Sequence, residues 1–445
     1  MPVKNAAENN FRDSLTSAAV WCTIVKETIL ITYMENTMTK TMMKKYAALV
    51  ARVGANVKKG QVVVISASVE HSEFASYVTE ACYKAGASRV DHEWNCQAIT
   101  KMHYKYRTLK SLSTVPAWKE EKLKLAVEEV PVRIHIIGED PDGLRGINQE
   151  KMQKARIATY PIVKKYNDAL ENKEQWTIVA VPSYAWAKKV FPGEKKNRAY
   201  EMLWEEILKT VRVTKDNDPV AEWDKHNEAF KARCAWLNEQ KFDYLEYKSA
   251  NGTDFRASLI PEGHWCGGGE VSLLGNFFNP NMPTEEIFTS PKKGCADGKL
   301  VSTKPLSYQG QLINNFYITF KDGKAVEWDA EVGKPLLDRM LSMDEGAAYL
   351  GELALVPKDS PISESGVLFY NTLFDENASC HVALGRGFMD TIDDFQHKTL
   401  EECQKLGIND SMIHVDFMIG APDMTITGYK DGKATPIFVN GTWAK

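Results

Sequence analysis

The sequence lacks several features that would assign it to a common class of protein. Its eight cysteines in 445 residues include no C-x-x-C pair, which argues against a cysteine-ligated zinc site and is typical of a reduced protein with free thiols. There is no G-x-G-x-x-G after the first predicted strand and no G-x-x-x-x-G-K, so nucleotide binding has no support. The net charge is −4, so we predict neither nucleic acid nor an anionic membrane as a partner.

Long hydrophobic runs are also missing. The most apolar stretch, residues 18–34, is interrupted by Lys26 and Glu27 and is too short and too charged to span a bilayer. It has neither a clear basic start nor a small-residue cleavage site, so we predict no secretory signal. We therefore expect a cytoplasmic protein without a membrane partner, in which residues 1–41 are a disordered N-terminal appendage.

The residues that are present have the balance of a globular protein. Hydrophobic residues make up 44% of the chain and charged residues 26%, and the length suggests two or three domains. Residues 42–242 alternate β-branched runs, such as 61–66, with helical stretches, such as 72–84. That order predicts a doubly wound α/β domain with a parallel sheet. A helix over residues 219–238 is expected to bridge to the next domain.

After residue 242 the pattern changes to short strands separated by glycine turns. Residues 321–324 and 430–433 both place Asp-Gly at the centre of four residues, which is typical of a tight β-hairpin. The one clear helix is predicted over residues 336–350. We therefore predict an α/β protein overall, whose second domain, residues 243–445, is a mixed, mainly antiparallel α+β domain that binds metal.

The sharpest local indication of function is the H-x-D unit formed by His414 and Asp416. In a strand, residues i and i+2 point to the same face, so these two side chains could bind one ion from a rigid element. Imidazole and carboxylate together are a ligand set that suits zinc, cobalt, manganese or iron.

Other ionisable residues occupy apolar or turn positions in the same domain. Glu352 and His381 interrupt apolar runs, and Glu285 and Glu286 lie between two prolines. A buried charge is costly unless it is paired or binds a metal, and two metals that share carboxylates are common in aminopeptidases. The alternatives are a salt bridge between Glu352 and Arg386, and an exposed loop carboxylate at position 286 that could exchange roles with its neighbour.

Four segments, taken together, closely resemble the thermophilic-aminopeptidase family of metallopeptidases. They are NMPTEEIFTSP from Asn281, GELALVP from Gly351, FYNTLFDENASCHVALG from Phe369 and HVDFMIG from His414. The match runs from about Met43 to the C-terminus. The resemblance implies an α/β N-terminal domain, a C-terminal domain that carries the metals, peptide substrates, and a homodimer with an enclosed active site.

By motif, the resemblance also implies two divalent metal ions per chain, which could be zinc, cobalt, manganese or magnesium. The implied ligands are two glutamates, two histidines and an aspartate: Glu286, Glu352, His381, His414 and Asp416. The implied reaction is removal of N-terminal residues from peptides by a water molecule that the two metals activate. Glu352 or Glu286 would serve as general base, unless it bridges the metals instead.

The sequence departs from the family pattern at one position. The family has a tyrosine implicated in catalysis seven residues after the first metal histidine, where this chain has Phe388. Phenylalanine cannot donate a hydrogen bond to a developing oxyanion, and loss of one such donor can lower the rate by roughly two to three orders of magnitude. Either another donor, such as Tyr370 or Arg386, takes its place, or this member is slower or differently specific.

Two other functions are open from the sequence alone. One is an iron-dependent, ring-cleaving dioxygenase, because dihydroxypyridine dioxygenases resemble this family and use one iron held by histidines and a carboxylate. The other is a non-catalytic metal-binding relative, which Phe388 would permit. The presence of two separate glutamate motifs favours the two-metal peptidase, because one iron needs fewer ligands.

Overall fold

The structure is a computed structural model that describes residues 40–444. The predicted appendage lies outside the described residues, except for residues 40 and 41, which begin the first helix. The α-helices are α1 (residues 40–49), α2 (Ser72–Ala85), α3 (Gln97–Tyr106), α4 (Leu109–Leu112), α5 (Ala117–Glu129), α6 (Gln149–Leu170), α7 (Tyr184–Val190), α8 (Lys196–Thr210), α9 (Pro219–Gln240), α10 (Lys334–Leu341), α11 (Pro361–Ser365), α12 (Thr372–Asp375) and α13 (Leu400–Leu406). Among residues 40–444, no helix has both the length and the apolar character needed to cross a membrane.

The strands follow the same chain order. They are β1 (Val62–Ser68), β2 (Arg89–Asn95), β3 (Val132–Ile137), β4 (Trp176–Ala180), β5 (Tyr244–Lys248), β6 (Asp254–Leu259), β7 (Cys266–Gly267), β8 (Glu270–Val271), β9 (Phe277–Phe278), β10 (Asn281–Met282), β11 (Ile287–Thr289), β12 (Pro291–Val301), β13 (Leu306–Tyr308), β14 (Gln311–Lys321), β15 (Lys324–Val332), β16 (Leu350–Leu355), β17 (His381–Gly385), β18 (His414–Met418), β19 (Thr425–Lys430), β20 (Lys433–Val439) and β21 (Thr442–Trp443).

A parallel sheet forms from the β-branched runs that precede residue 242. This sheet and the helices that pack on it are here called the first half, and the remaining sheets the second half. Its strand order is β10, β4, β3, β1, β2, and every neighbouring pair is parallel. Helix α2 returns the chain from β1 to β2 and ends before Gly86, whose φ of +106° is the left-handed conformation expected of a glycine cap. The parallel sheet predicted from the alternation of strands and helices is confirmed.

Two segments from beyond residue 242 also belong to this first half. Strand β10 pairs with β4 at one edge of the parallel sheet, and Phe369 and Phe374 are buried in the same core. Helix α9 contributes Trp223 to that core and Phe230 to the core of the second half. The division of the chain into domains at residue 242 stays a prediction.

The second half is built mainly from two antiparallel sheets. One has the order β18, β17, β16, β11, β7; the other has the order β13, β14, β12, β6, β5, β19, β20, β21, with β15 beside β14. Both predicted hairpins are confirmed: Lys321 pairs with Lys324, and Lys430 pairs with Lys433. The Asp-Gly residues between them have positive φ, as a type I′ turn requires.

The helix predicted over residues 336–350 is too long. Helix α10 ends at Leu341, and Leu350 already begins strand β16. Between them the chain turns at Asp344, whose Oδ1 accepts a hydrogen bond from the Ala347 backbone N–H. Apolar residues on both sides of this turn extended the helical pattern in the sequence past the true end of the helix.

Candidate metal centre

The strand register places four of the predicted ligands on one face of the sheet. Glu352 of β16 is opposite Ala383 of β17, which is in turn opposite Asp416 of β18. Directly opposed residues on antiparallel strands share a face, and so do residues two positions apart on one strand. His381 and His414 therefore point to the same side. Because Ala383 carries only a methyl group, the space between the two carboxylates stays open.

Glu286 reaches this face from the residue just before strand β11. It immediately precedes β11, which pairs with β16, and its Oε2 lies 3.1 Å from His381 Nε2. Glu285 points elsewhere, because its Oε1 lies 2.7 Å from Nη2 of Arg212. The structure thus separates the two consecutive acids that the sequence left interchangeable.

The donor atoms form two overlapping groups. Glu286, Glu352 and His381 make up the first, and Glu352, His414 and Asp416 the second; within each group the donors lie within 4.8 Å of one another. His414 Nε2 is 3.1 Å from Glu352 Oε2 and 3.3 Å from Asp416 Oδ1. Bonds of about 2.1 Å to one ion place two ligands about 3.0–3.4 Å apart, so these separations fit a metal. Glu352 belongs to both groups.

Backbone carbonyls orient both histidines. His381 Nδ1 is 3.1 Å from the Ser379 carbonyl oxygen, and His414 Nδ1 is 2.7 Å from that of Arg386. A carbonyl can only accept, so Nδ1 carries a proton in both rings, and loss of the Nε2 proton on metal binding would leave the Nε2 lone pair directed towards the centre. Asp416 Oδ1 is buried and receives no hydrogen bond within residues 40–444. This donor chemistry suits a divalent cation.

The centre concentrates negative charge away from water. Burial raises the pKa of Glu352 to about 7. Burial also raises the pKa of Glu376 well above its usual range, and the charges of Glu286 and Asp416 raise it further. Burial lowers the pKa of His381, but its hydrogen bond to Glu286 and the charge of that carboxylate outweigh this and raise the pKa to about 10. A cation at the centre would relieve this repulsion.

Glu376 is a site residue that the sequence analysis did not single out. It lies in a 3₁₀ turn, Glu376–Ala378, shortly before β17, and it lines the same cavity as the five predicted ligands. Its carboxylate accepts one long hydrogen bond, of 3.4 Å, from Asn377 Nδ2. The available signal was its place in the segment FYNTLFDENASCHVALG, five residues before His381.

The centre opens into a cavity of about 860 Å³ between the two halves. Trp176 and Ile178 of the parallel sheet form part of its wall. Glu270 and Asp390, also absent from the sequence prediction, line it as well. Burial raises the pKa of Glu270 to about 8 and that of Asp390 to about 6. No lysine or arginine among the described residues forms an ion pair with either carboxylate, so this wall is acidic.

Phe388 lies at the edge of the metal centre. Its ring centroid is 4.7 Å from that of His414 and 5.4 Å from that of Phe288. The residue that replaces the family tyrosine therefore packs directly against a candidate ligand, and it forms an apolar part of the cavity wall.

Tyr370 and Arg386 also line the cavity, but both have other contacts. Arg386 Nη2 lies 2.8 Å from Glu171 Oε1, so the alternative salt bridge from Arg386 to Glu352 is not formed. The Tyr370 ring is 5.0 Å from Lys189 Nζ. Within residues 40–444, no hydrogen bond or ring contact joins Tyr370 to the five candidate ligands.

Comparisons with known proteins show which family this chain resembles over most of its length. A family model described as thermophilic metalloprotease (M29) matches residues 39–443. Aminopeptidase AmpS of Bacillus subtilis (strain 168) is 41% identical over 404 residues, 90% of this chain and 98% of that protein. Aminopeptidase T of Thermus thermophilus is 38% identical over 407 residues, 91% of this chain and 98% of that protein. The solved structure of wild-type AmpT from Thermus thermophilus is similar with a TM-score of 0.84 and 36% identity, over 91% of this chain and 100% of that one.

Substitution of single ligands should change the metal content in a pattern set by the two groups. His381→Ala and His414→Ala each remove a donor from one group, so each variant should keep about one of two ions per chain. Glu352→Ala should weaken both. His397→Ala, at an exposed position, is the control. Elemental analysis after dialysis measures the content, and retention of both ions by the two histidine variants would contradict the assignment.

Proposed function

The chain belongs to the thermophilic metalloprotease (M29) family, as its four motifs indicated, and on that basis we propose that it is an aminopeptidase that uses two divalent metal ions. Its substrates would be peptides with a free N-terminus. The observation that carries the proposal is the pair of donor groups that share Glu352. Because two histidines are among the donors, zinc, cobalt or manganese suit the site better than magnesium.

The carboxylates of the centre divide into two roles. Bound metals would polarise the scissile carbonyl and lower the pKa of water towards neutrality. Glu352 is a predicted base, but its place in both donor groups supports the bridging role instead. Glu376 belongs to neither group, yet it lies close enough for Glu286 and Asp416 to raise its pKa. We assign Glu376 as the general base that takes the proton from the attacking water.

The acidic wall suits the amino end of a peptide. An ammonium group has three donors and a positive charge, and Glu270 and Asp390 offer carboxylates without an ion pair on the same cavity. Burial raises the pKa of both groups, and an ammonium bound there would stabilise their charged forms. This arrangement would select peptides with a free N-terminus and orient the first peptide bond towards the centre.

We propose a homodimer as the assembly, as the family resemblance implies. Helices α3 and α5 bury none of their own residues, while Tyr106 and Trp118 are 71% and 69% exposed. Clustered apolar side chains on surface helices are typical of an interface between subunits. A cytoplasmic location is likewise proposed, and the seven free cysteines of the described residues support it.

The two alternatives are not favoured. The curated relatives reported above are aminopeptidases, and none of them is a dioxygenase. A single iron would use one histidine–carboxylate group and leave the second without a function. A non-catalytic role is not favoured either, because the centre opens into a substrate-sized cavity.

Peptidase assays with and without metal test the proposed function. We expect hydrolysis of leucine or arginine p-nitroanilide, loss of that activity after chelation, and recovery on addition of a divalent metal. The N-acetylated forms of the same substrates are the control, since they lack the ammonium group. Activity that survives complete removal of metal, or equal cleavage of acetylated substrate, would refute the proposal.

Glu376→Gln should lower kcat by about 10²–10⁴-fold with metal content unchanged, because it removes only a proton acceptor. Burial raises the pKa of Glu376, so wild-type kcat should fall as the pH drops through a value above about 4.3, the usual pKa of glutamate. The variant should lack this acid limb. Glu364→Gln, at an exposed position, is the control. A variant that loses metal would identify Glu376 as a ligand instead.

Tyr370→Phe should lower kcat/KM by about 10²-fold, because we assign to its hydroxyl the donor role that Phe388 cannot fill. That hydroxyl has no hydrogen-bond partner among residues 40–444 and lies on the cavity wall. Phe388→Tyr should be neutral or harmful, since the ring already packs against His414. Steady-state kinetics decide, with Tyr83→Phe, at an exposed position, as the control. A gain in kcat from Phe388→Tyr would reverse the assignment.

A further inference from the structure

Glu286 lies on a short segment that crosses from one sheet to another. Strand β10 ends at Met282 in the parallel sheet, and β11 begins at Ile287 in the sheet that carries the metal centre. The residues between them, 283–286, are here called the crossing segment. Glu286 can meet His381 only if this segment is fixed relative to both sheets.

Three side chains from elsewhere in the chain hold the crossing segment. His226 Nε2 donates a hydrogen bond of 2.8 Å to the Thr284 carbonyl oxygen. Arg212 Nη2 donates one of 2.7 Å to Glu285 Oε1. Asn377 Oδ1 accepts one of 2.6 Å from the Glu285 backbone N–H. The residue next to Glu286 is therefore fixed through both its main chain and its side chain.

Arg212 is aimed at the crossing segment by its own backbone. Its φ of +58° is uncommon for a residue other than glycine and persists only where the surroundings enforce it. The Arg212 carbonyl oxygen accepts a hydrogen bond of 2.7 Å from Asn217 Nδ2. Its Nη1 donates to the Thr210 carbonyl oxygen at 3.2 Å, and its guanidinium lies 5.9 Å from the Trp223 ring centroid. These contacts leave one guanidinium nitrogen directed at Glu285.

Arg212 distinguishes two acids that are adjacent in sequence. Glu285 is 8% exposed, so its carboxylate needs a cation. The Arg212 guanidinium is the cation that contacts the crossing segment, and an ion bound at the candidate metal centre would be a second one. With Arg212 in place, Glu285 is neutralised away from the centre, and Glu286 remains as the acid that faces His381.

We propose that Arg212 is a positioning residue of the metal centre, which holds Glu285 and thereby fixes Glu286 in the first donor group. The inference rests on the proposed role of Glu286 as a metal ligand. Arg212 itself contacts none of the five candidate ligands; it acts through the crossing segment. Its loss should therefore affect the ion of the first group more than the ion of the second.

Cobalt binding tests this role without reference to activity. Wild-type protein and Arg212→Met are titrated with Co²⁺ against a competing chelator, and their visible absorption spectra are recorded. We expect Arg212→Met to weaken one of the two ions by about 10- to 100-fold, the range for outer partners of metal ligands, and to change its spectrum. Glu285→Gln should do the same, and Arg212→Lys should recover part of the affinity because it keeps the charge.

Arg133→Met is the matched control. Arg133 forms an ion pair of 2.8 Å with Glu174, and its side chain is 19% exposed, like that of Arg212. We expect this control to lower the melting temperature and to leave cobalt affinity unchanged. Wild-type affinity and spectrum in Arg212→Met, or equal weakening by Arg133→Met, would overturn the inference.

Two further results keep the test decisive. If Arg212→Met does not fold, Arg212→Lys and Glu285→Gln take its place, and an unchanged cobalt spectrum in both would overturn the role of Arg212. If the wild-type protein itself binds no Co²⁺, the proposed metal centre fails, and this outcome is distinct from failure of the positioning role.

Discussion

The buried carboxylate of Glu352 is the constraint on which the second half of the structure depends. It lies in the middle of β16, a strand in which every residue is buried, and an uncompensated charge there would oppose folding. The register brings His414 to 3.1 Å and places Ala383 directly opposite. His414 compensates the buried charge of Glu352 in part, and a divalent cation would compensate it further. A metal bound at Glu352, as proposed, would therefore couple metal binding to the folding of this sheet.

The first donor group depends on both halves of the chain. His381 and Glu352 belong to neighbouring strands of one sheet, but Glu286 ends the segment that begins at β10 in the parallel sheet. A ligand at such a junction is sensitive to how the halves pack. The cavity has the same origin, since its wall combines Trp176 of the parallel sheet with the ligands of the antiparallel one. The cavity and the first donor group of the candidate metal centre thus both form where the two halves of the chain pack together.

Local patterns in the sequence were sufficient for the parallel sheet and the hairpins, because each has a short signature. The five candidate ligands came from the family resemblance, and the structure brings their donor atoms together in two groups. They were insufficient where partners are distant. Strand β10 has two residues and exists only because it meets β4. Helix α5 buries no residue of its own and has no distinct apolar face, so it lacks the apolar period that marks a helix. Glu270 lines the cavity beside the centre, and no pattern in the residues that surround it in the sequence indicates this position.

The cavity wall next to the centre combines two kinds of side chain, and this combination bears on Phe388. The Phe388 ring packs against the rings of His414 and Phe288, whereas the carboxylates of Glu270 and Asp390 line the same cavity. The His414 ring is already oriented by the Arg386 carbonyl, and a phenyl ring beside it excludes water and strengthens the electrostatic interactions there. Relative to the tyrosine that the family resemblance implies at this position, Phe388 therefore offers no hydrogen-bond donor and lowers the polarity next to His414.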